Sequence, residues 1–276
     1  MGKTIKQGDN YLSIDGLRVH VRCAGEGKPL VLLHGLGGPL MWQRVIEPLA
    51  SHFLVITIDL PGFGDSECPQ QPFSTKDYAE LLFLLLKELN IRKAEIVGVS
   101  YGGQIAVEFA TWYRDEVEQL VLIASTGLAP RSSVLIFPSV WPAIAAITTT
   151  TLLRNRRAMC FLSSYSFHDI VSRPSGLCAD FYRQISRRGC RGVWMQMLKN
   201  ILSADDTFSK KLGDLHVPTL LLWGESDRSV PLRIAGKFQQ LIPSAVLQTF
   251  PHCAHSVPLE KPKELCSAIV RFVQEN

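Results

Sequence analysis

No two cysteines stand at the Cys-x-x-Cys spacing of a zinc or redox site. The seven present (Cys23, Cys68, Cys160, Cys178, Cys190, Cys253 and Cys266) are scattered and odd in number. That usage reads as free thiols in a reducing, cytoplasmic compartment and argues against a disulfide framework. The opening stretch MGKTIKQGDNYLSIDG lacks an apolar core of signal-peptide length. Met1-Gly2 is followed at position six by Lys6, where the myristoylation pattern needs Ser or Thr. Repeats and low-complexity tracts are absent. So are aromatic-basic interleaving, zinc fingers and helix-turn-helix signals, and nucleic acid is not an expected partner.

What is there is an ordinary globular mix, 46% hydrophobic and 20% charged over 276 residues, enough to bury a large core. The net charge of +4 conceals an asymmetry: residues 128–212 hold twelve Lys and Arg against four Asp and Glu, leaving 17 basic and 21 acidic groups elsewhere. Short β-branched runs alternate with helical patterns. Leu17–Cys23, Leu30–Leu33, Leu54–Ile58, Ile96–Val99, Leu120–Ile123, Thr219–Trp223 and Val246–Phe250 read as strands. Tyr78–Leu89 (capped near Ser74-Thr75 and Asp77), Gly102–Tyr113, Leu232–Leu241 and Pro262–Gln274 read as helices. This alternation implies a parallel α/β sheet. Between about Leu128 and Leu212 it stops, as a helical insertion would make it do. Val134–Leu153, about 20 mostly apolar residues, has the length of a membrane span. Pro138, Ser139, Pro142 and Thr148–Thr151 favour an apolar cap instead, with peripheral membrane contact the lesser alternative.

The stretch VGVSYGG puts Ser100 between Gly98 and Gly102, directly after one strand and before a helix. A nucleophile elbow needs that strand–turn–helix context. A serine hydroxyl needs a base, and the base needs a carboxylate to fix its tautomer. LLWGESDRSVP offers Asp227 and Glu225; PHCAHSVPLEKP offers His252 and His255. Upstream, His34-Gly35-Leu36-Gly37-Gly38 follows another strand, and the N–H groups of Leu36 and Tyr101 are candidate oxyanion donors.

LLHGLGG, DLPGFGDS, VGVSYGG, LLWGESDRSVP and HCAHSVPLEKP, in this order, resemble the α/β-hydrolase superfamily over nearly the whole chain. The resemblance implies an eight-stranded, mostly parallel sheet flanked by helices. A core of residues 1–127 and 213–276 would carry a helical cap, 128–212, after strand 6. It implies Ser100 as nucleophile, Asp227 as acid and His255 as base, with no metal or organic cofactor. The chain is similar to small capped esterases and to hydrolases of carbon–carbon bonds in ring-cleavage products. It departs from the latter in carrying Ser256, where they usually have tryptophan after the histidine. Dehalogenases and epoxide hydrolases of the fold use aspartate at the elbow, against Ser100. The expected activity is hydrolysis of a carboxylic ester with an apolar or aromatic portion. Cleavage of an acidic dienoate, or a low-turnover binding or accessory role, are the alternatives.

Other residues have plainer readings. His34 orders its loop, Asp59, Gly62 and Gly64 shape a turn, and Cys253 is filler. Trp42, Trp141 and Trp194 line the pocket or fill the core. Arg183, Arg187, Arg188 and Arg191 form a solvated helical face, or else a funnel for an anionic substrate or a contact for an anionic membrane surface.

Overall fold

A computed structural model describes residues 6–128, 156–187, 189–202 and 206–276. It forms one eight-stranded sheet in the order β1-β2-β4-β3-β5-β6-β7-β8. These strands are β1 Gly8–Ile14, β2 Leu17–Ala24, β3 Pro29–Leu33, β4 Leu54–Ile58, β5 Ala94–Val99, β6 Val117–Ile123, β7 Thr219–Gly224 and β8 Ala245–Phe250. From β4 through β3 to β8 all pairs are parallel; β1 and β2 are antiparallel to their neighbours. Every residue of β5 and β7 is buried, which is why these strands read as unbroken apolar runs.

Side chains of one strand leave the sheet on alternate faces. In β3, Val31 and Leu33 pack into one core cluster and Leu30 and Leu32 into the other. The first cluster is covered by α2 (Thr75–Glu88), α3 (Tyr101–Trp112) and α8 (Leu232–Leu241), the second by α1 (Ile46–Ala50) and α9 (Pro262–Glu275). Helix α2 starts at the expected place: Ser74 and Asp77 form a reciprocal capping box. Strand β1 has no counterpart among the strand runs read from the sequence. It is an edge strand with Leu12 and Ile14 as its buried residues, closed onto β2 by Asp15-Gly16, both at positive φ.

Between β6 and β7 lie α4 (Arg156–Tyr165), α5 (Leu177–Ser186), α6 (Arg191–Leu202) and α7 (Asp206–Gly213). They pack on the sheet-bearing part through apolar side chains of the first core cluster, among them Val193, Trp194, Met197, Phe208 and Leu212, and through polar ties. Arg187 donates to the carbonyls of Gly64 (2.6 Å) and Ser66 (2.9 Å). Lys211 pairs with the nearly buried Glu108 of α3 at 2.6 Å. Asn200 donates to the Tyr101 hydroxyl at 2.9 Å. Arg187 is therefore a clamp on the turn after β4, which corrects its reading as solvated face or anion funnel. Val134–Leu153, Trp141 and Arg188 lie outside the described residues.

The free-thiol reading is corrected too. Cys68 is paired with Cys190, tying the Asp59–Glu67 turn to the start of α6, and Cys160 with Cys178, tying α4 to α5. Cys23, Cys253 and Cys266 remain free and buried. Cysteine usage thus gives no support to a reducing compartment. No helix among the described residues is long and apolar enough to cross a membrane.

Candidate active site

Ser100 follows the last residue of β5 and adopts φ 57°, ψ −117°. A positive φ at a non-glycine residue costs on the order of 1–3 kcal/mol and persists only when its surroundings hold it. Here the Ser100 N–H donates to the Ile123 carbonyl (2.8 Å), and the Ser100 carbonyl accepts from the N–H of Gly103 (3.0 Å) and Thr126 (3.1 Å). Gly98 and Gly102 make the turn possible. A Cβ on Gly98 would strike the Gly102 carbonyl, and one on Gly102 would strike the Leu33 carbonyl. The hydroxyl is thereby fixed at the carboxyl ends of the parallel strands, where open α/β sheets bind ligands.

Two further turns at the same sheet edge converge on it. Asp227 follows β7 with its side chain fully buried. Its Oδ1 accepts from the N–H groups of Ser229 (2.8 Å) and Val230 (2.9 Å), leaving Oδ2 to accept from His255 Nδ1 at 2.8 Å. That bond puts the ring proton on Nδ1 and leaves Nε2 as acceptor for the Ser100 hydroxyl at 3.0 Å. The other candidates stand apart. Glu225 accepts from the Thr249 hydroxyl at 2.9 Å. His252 is exposed, its ring centred 5.6 Å from that of His168.

The loop Gly35–Gly38 lies against the elbow. A Cβ on Gly35 would approach the Ser100 Cβ to 2.9 Å and the Tyr101 nitrogen to 3.3 Å, so only glycine permits the contact. Tyr101 is the first residue of α3, and N–H groups of a first turn lack partners within their helix. Leu36 faces the cavity beside Ser100. His34 orders this loop: its Nδ1–H donates to the Gly35 carbonyl at 2.8 Å and its Nε2 accepts from the Leu60 N–H at 3.1 Å. Complete burial holds its pKa below the ordinary value, keeping the ring neutral. Burial, reinforced by Glu260, pushes the Cys253 thiol far up, so it is no rival nucleophile. His20, Asp59 and Asp65 bring ligand atoms within 4.8 Å of one another. Asp59 Oδ2 already accepts from His20 Nδ1 and the Asp65 N–H, both at 2.8 Å, which accounts for the group as the turn it shapes.

A cavity of about 360 Å³ opens beside Ser100 and His255. Its apolar wall includes Met41, Phe167, Leu177, Phe181, Trp194 and Leu198; Thr126, Ser163, Ser166, Ser229 and Ser256 supply hydroxyls. Among the described lining residues His255 is the one ionisable group besides hydroxyls. Trp194 reaches the cavity as one of the two expected alternatives, while Trp42 is fully buried in the second core cluster. Sequence reasoning missed Phe181, Leu198 and Ile201, although Leu177/Phe181 and Trp194/Leu198/Ile201 recur at the helical spacing that places them on one face. It also missed Glu260. One oxygen of that carboxylate accepts from the His168 N–H (2.7 Å), the other from the Ala254 N–H (2.9 Å) next to His255.

Comparison with known proteins agrees with this fold. The family model described as alpha/beta hydrolase fold matches residues 28–262. A 2-hydroxy-6-oxo-6-(2'-aminophenyl)hexa-2,4-dienoic acid hydrolase of Metapseudomonas resinovorans is 28% identical, covering 96% of this chain and 90% of its own. A pimeloyl-[acyl-carrier protein] methyl ester esterase of Vibrio atlanticus is 28% identical, covering 95% and 99%. A soluble epoxide hydrolase of a Corynebacterium strain is 30% identical, covering 94% of both.

Proposed function

The chain belongs to the alpha/beta hydrolase fold family, and on that premise we propose that it is a serine hydrolase of carboxylic esters acting through an acyl-enzyme on Ser100. His255 Nε2 takes the hydroxyl proton as Ser100 Oγ attacks the ester carbonyl, and Asp227 stabilises the imidazolium and holds its tautomer. The negative charge forming on the carbonyl oxygen points at the N–H groups of Leu36 and Tyr101, at the positive end of α3. Collapse expels the alcohol, protonated by His255. Water, deprotonated by the same ring, then attacks the acyl carbonyl and releases the carboxylic acid and the free serine. Each step uses side chains, backbone and water. Residues 128–212 serve as a lid that excludes bulk water and shapes the acyl site, over a core of 1–127 and 213–276.

The observation that carries the ester reading is the character of the cavity wall. A dienoate brings a carboxylate that must leave water, which is costly without a partner cation. The described lining offers apolar side chains and hydroxyls and no Lys or Arg, which suits a neutral ester with an apolar acyl or aromatic group. Carbon–carbon bond hydrolysis is the second reading, favoured by the dienoic acid hydrolase among the relatives. Turnover of p-nitrophenyl esters of graded chain length, beside a dienoate ketone, separates the two. Ester turnover rising with chain length supports the proposal. Dienoate cleavage with kcat/KM above every ester replaces it with the second reading.

A further inference from the structure

The loop that carries His255 is tied down on both sides of that residue, and two of its ties lead into the helical segment between β6 and β7. The loop turns at His252, whose φ of 52° is left-handed for a non-glycine residue and needs support from its surroundings. The buried Cys253 gives its carbonyl to the Ser226 N–H at 2.9 Å, which joins the loop to the Asp227 turn. The Ala254 N–H donates to Glu260 Oε2 at 2.9 Å, and the Ser256 N–H donates to the Ser166 carbonyl at 2.9 Å. Ser166 belongs to the stretch between α4 and α5 and lines the cavity together with Phe167. Glu260 reaches the same stretch with its other oxygen. Its Oε1 accepts from the His168 N–H at 2.7 Å and, more weakly, from the Asp169 N–H at 3.4 Å. The Glu260 N–H in turn donates to the Ser256 carbonyl at 3.0 Å, fixing the short helical turn Val257–Glu260 to the loop.

One carboxylate thus joins the residue before the base to a stretch of the cavity wall. It uses both oxygens to do so, because the groups on its two sides are backbone N–H donors and each needs an acceptor. A glutamine of the same shape offers one acceptor oxygen and one NH2 donor, so one of the two ties must fail. The consequence falls on His255. Its ring must stay 2.8 Å from Asp227 Oδ2 and 3.0 Å from Ser100 Oγ at once, and proton transfer is sensitive to displacements of a fraction of an ångström. Asp227 sets the tautomer and tilt of the ring; the ties at Ala254 and Ser256 set where the backbone of His255 stands.

We propose that Glu260 is a positioning residue: by bridging Ala254 and His168 it makes the placement of His255 depend on the seating of the stretch 166–169 beside it. The inference rests on the reading of His255 as the base of a serine hydrolase. The test is steady-state hydrolysis of p-nitrophenyl acetate by the full chain carrying Glu260→Gln or Glu260→Asp, with folded protein quantified by circular dichroism. Each substitution is also made in a His255→Ala background, where the residual turnover comes from the oxyanion site and binding alone. Glu260→Gln is expected to lower kcat about tenfold or more, with KM changed by less than about threefold. Glu260→Asp, which keeps the charge but withdraws it by one carbon, is expected to lower kcat in the same way and carries the test if the Gln variant does not fold. In the His255→Ala background either substitution is expected to change the residual kcat by less than about twofold, because the group it positions is gone. Wild-type kcat in a folded variant overturns the proposal. So does an equal loss with and without His255, or failure of both variants to fold, each of which would make Glu260 a support of the fold alone. Ester turnover that survives in Ser100→Ala would instead overturn the serine-hydrolase reading beneath it.

Discussion

The strand-bearing part of the molecule and the helical segment between β6 and β7 build one cavity from different materials. The first contributes turns: the elbow after β5, the Asp227 turn after β7 and the His255 loop after β8, each fixed by hydrogen bonds to its own backbone groups. The second contributes surfaces: Phe167, Leu177, Phe181, Trp194 and Leu198, none of which can move a proton. Chemistry needs atoms held within a fraction of an ångström, and turns anchored to a buried sheet supply that. Selection of an acyl group needs only shape and apolar area, which helices packed on the core through apolar side chains can supply. Damage to the two parts should therefore separate into lost turnover and lost binding.

The largest effect lies in the strand-bearing part. Asp227→Asn should lower kcat by about 10³–10⁴ by favouring the wrong tautomer of His255, with KM little changed. Glu225→Gln, whose carboxylate faces Thr249, should leave kcat within a few-fold. The reverse ranking in steady-state kinetics would move the acid by two residues. In the helical segment, Phe181→Ala should raise KM for long-chain esters about tenfold through lost apolar contact, sparing kcat and acetyl esters. A kcat loss equal to that of Asp227→Asn would erase the division of labour.

Arg187 tests how the two parts are joined. Arg187→Gln removes two charge-assisted bonds to backbone carbonyls and should cost about 1–3 kcal/mol in chemical denaturation. Neutral and carboxylate-bearing esters should be affected alike, because the guanidinium is engaged at the turn and not at an entrance.

The smallest effect lies at the far end of the sheet. Glu95, buried at the start of β5, is pushed up to about 7, first by burial and also by Glu118, against the opposing pull of Lys28. A carboxyl whose pKa is higher in the folded than in the unfolded state binds its proton more tightly when folded. Its contribution is fully present below the unfolded value, near 4.3, and is lost as pH rises through about 7. Glu95→Gln should therefore gain stability relative to wild type as pH rises from about 4.5 to 7. Unfolding midpoints across that window read it directly, and activity at the distant site should not change.

This division also explains what the sequence discloses. A positive-φ serine demands glycines two residues away, and a helix start demands a cap. Such local requirements leave Gly98-x-Ser100-x-Gly102 and Ser74-x-x-Asp77 in plain view. The three turns at the sheet edge and seven of the eight strands are legible for this reason. β1 is not, because Gly8, Asp9 and Asn10, residue types depleted in strands, open it. Arg187 binds carbonyls 123 and 121 residues away, and Cys68 meets Cys190 across 122. Backbone acceptors carry no residue signature, and cysteine pairing over such a separation cannot be read from spacing. The ties of the helical segment were hidden for those reasons.

The account stands on a covalent acyl group passing through Ser100. The direct measurement is mass spectrometry of acid-quenched reactions with a slowly released p-nitrophenyl ester, followed by peptide mapping. An adduct of the acyl mass on the peptide carrying Ser100, formed at the rate of the p-nitrophenol burst and absent from Ser100→Ala, is the predicted result. Turnover of that ester by Ser100→Ala at a tenth of the wild-type rate or more, or an adduct on any other side chain, would contradict it.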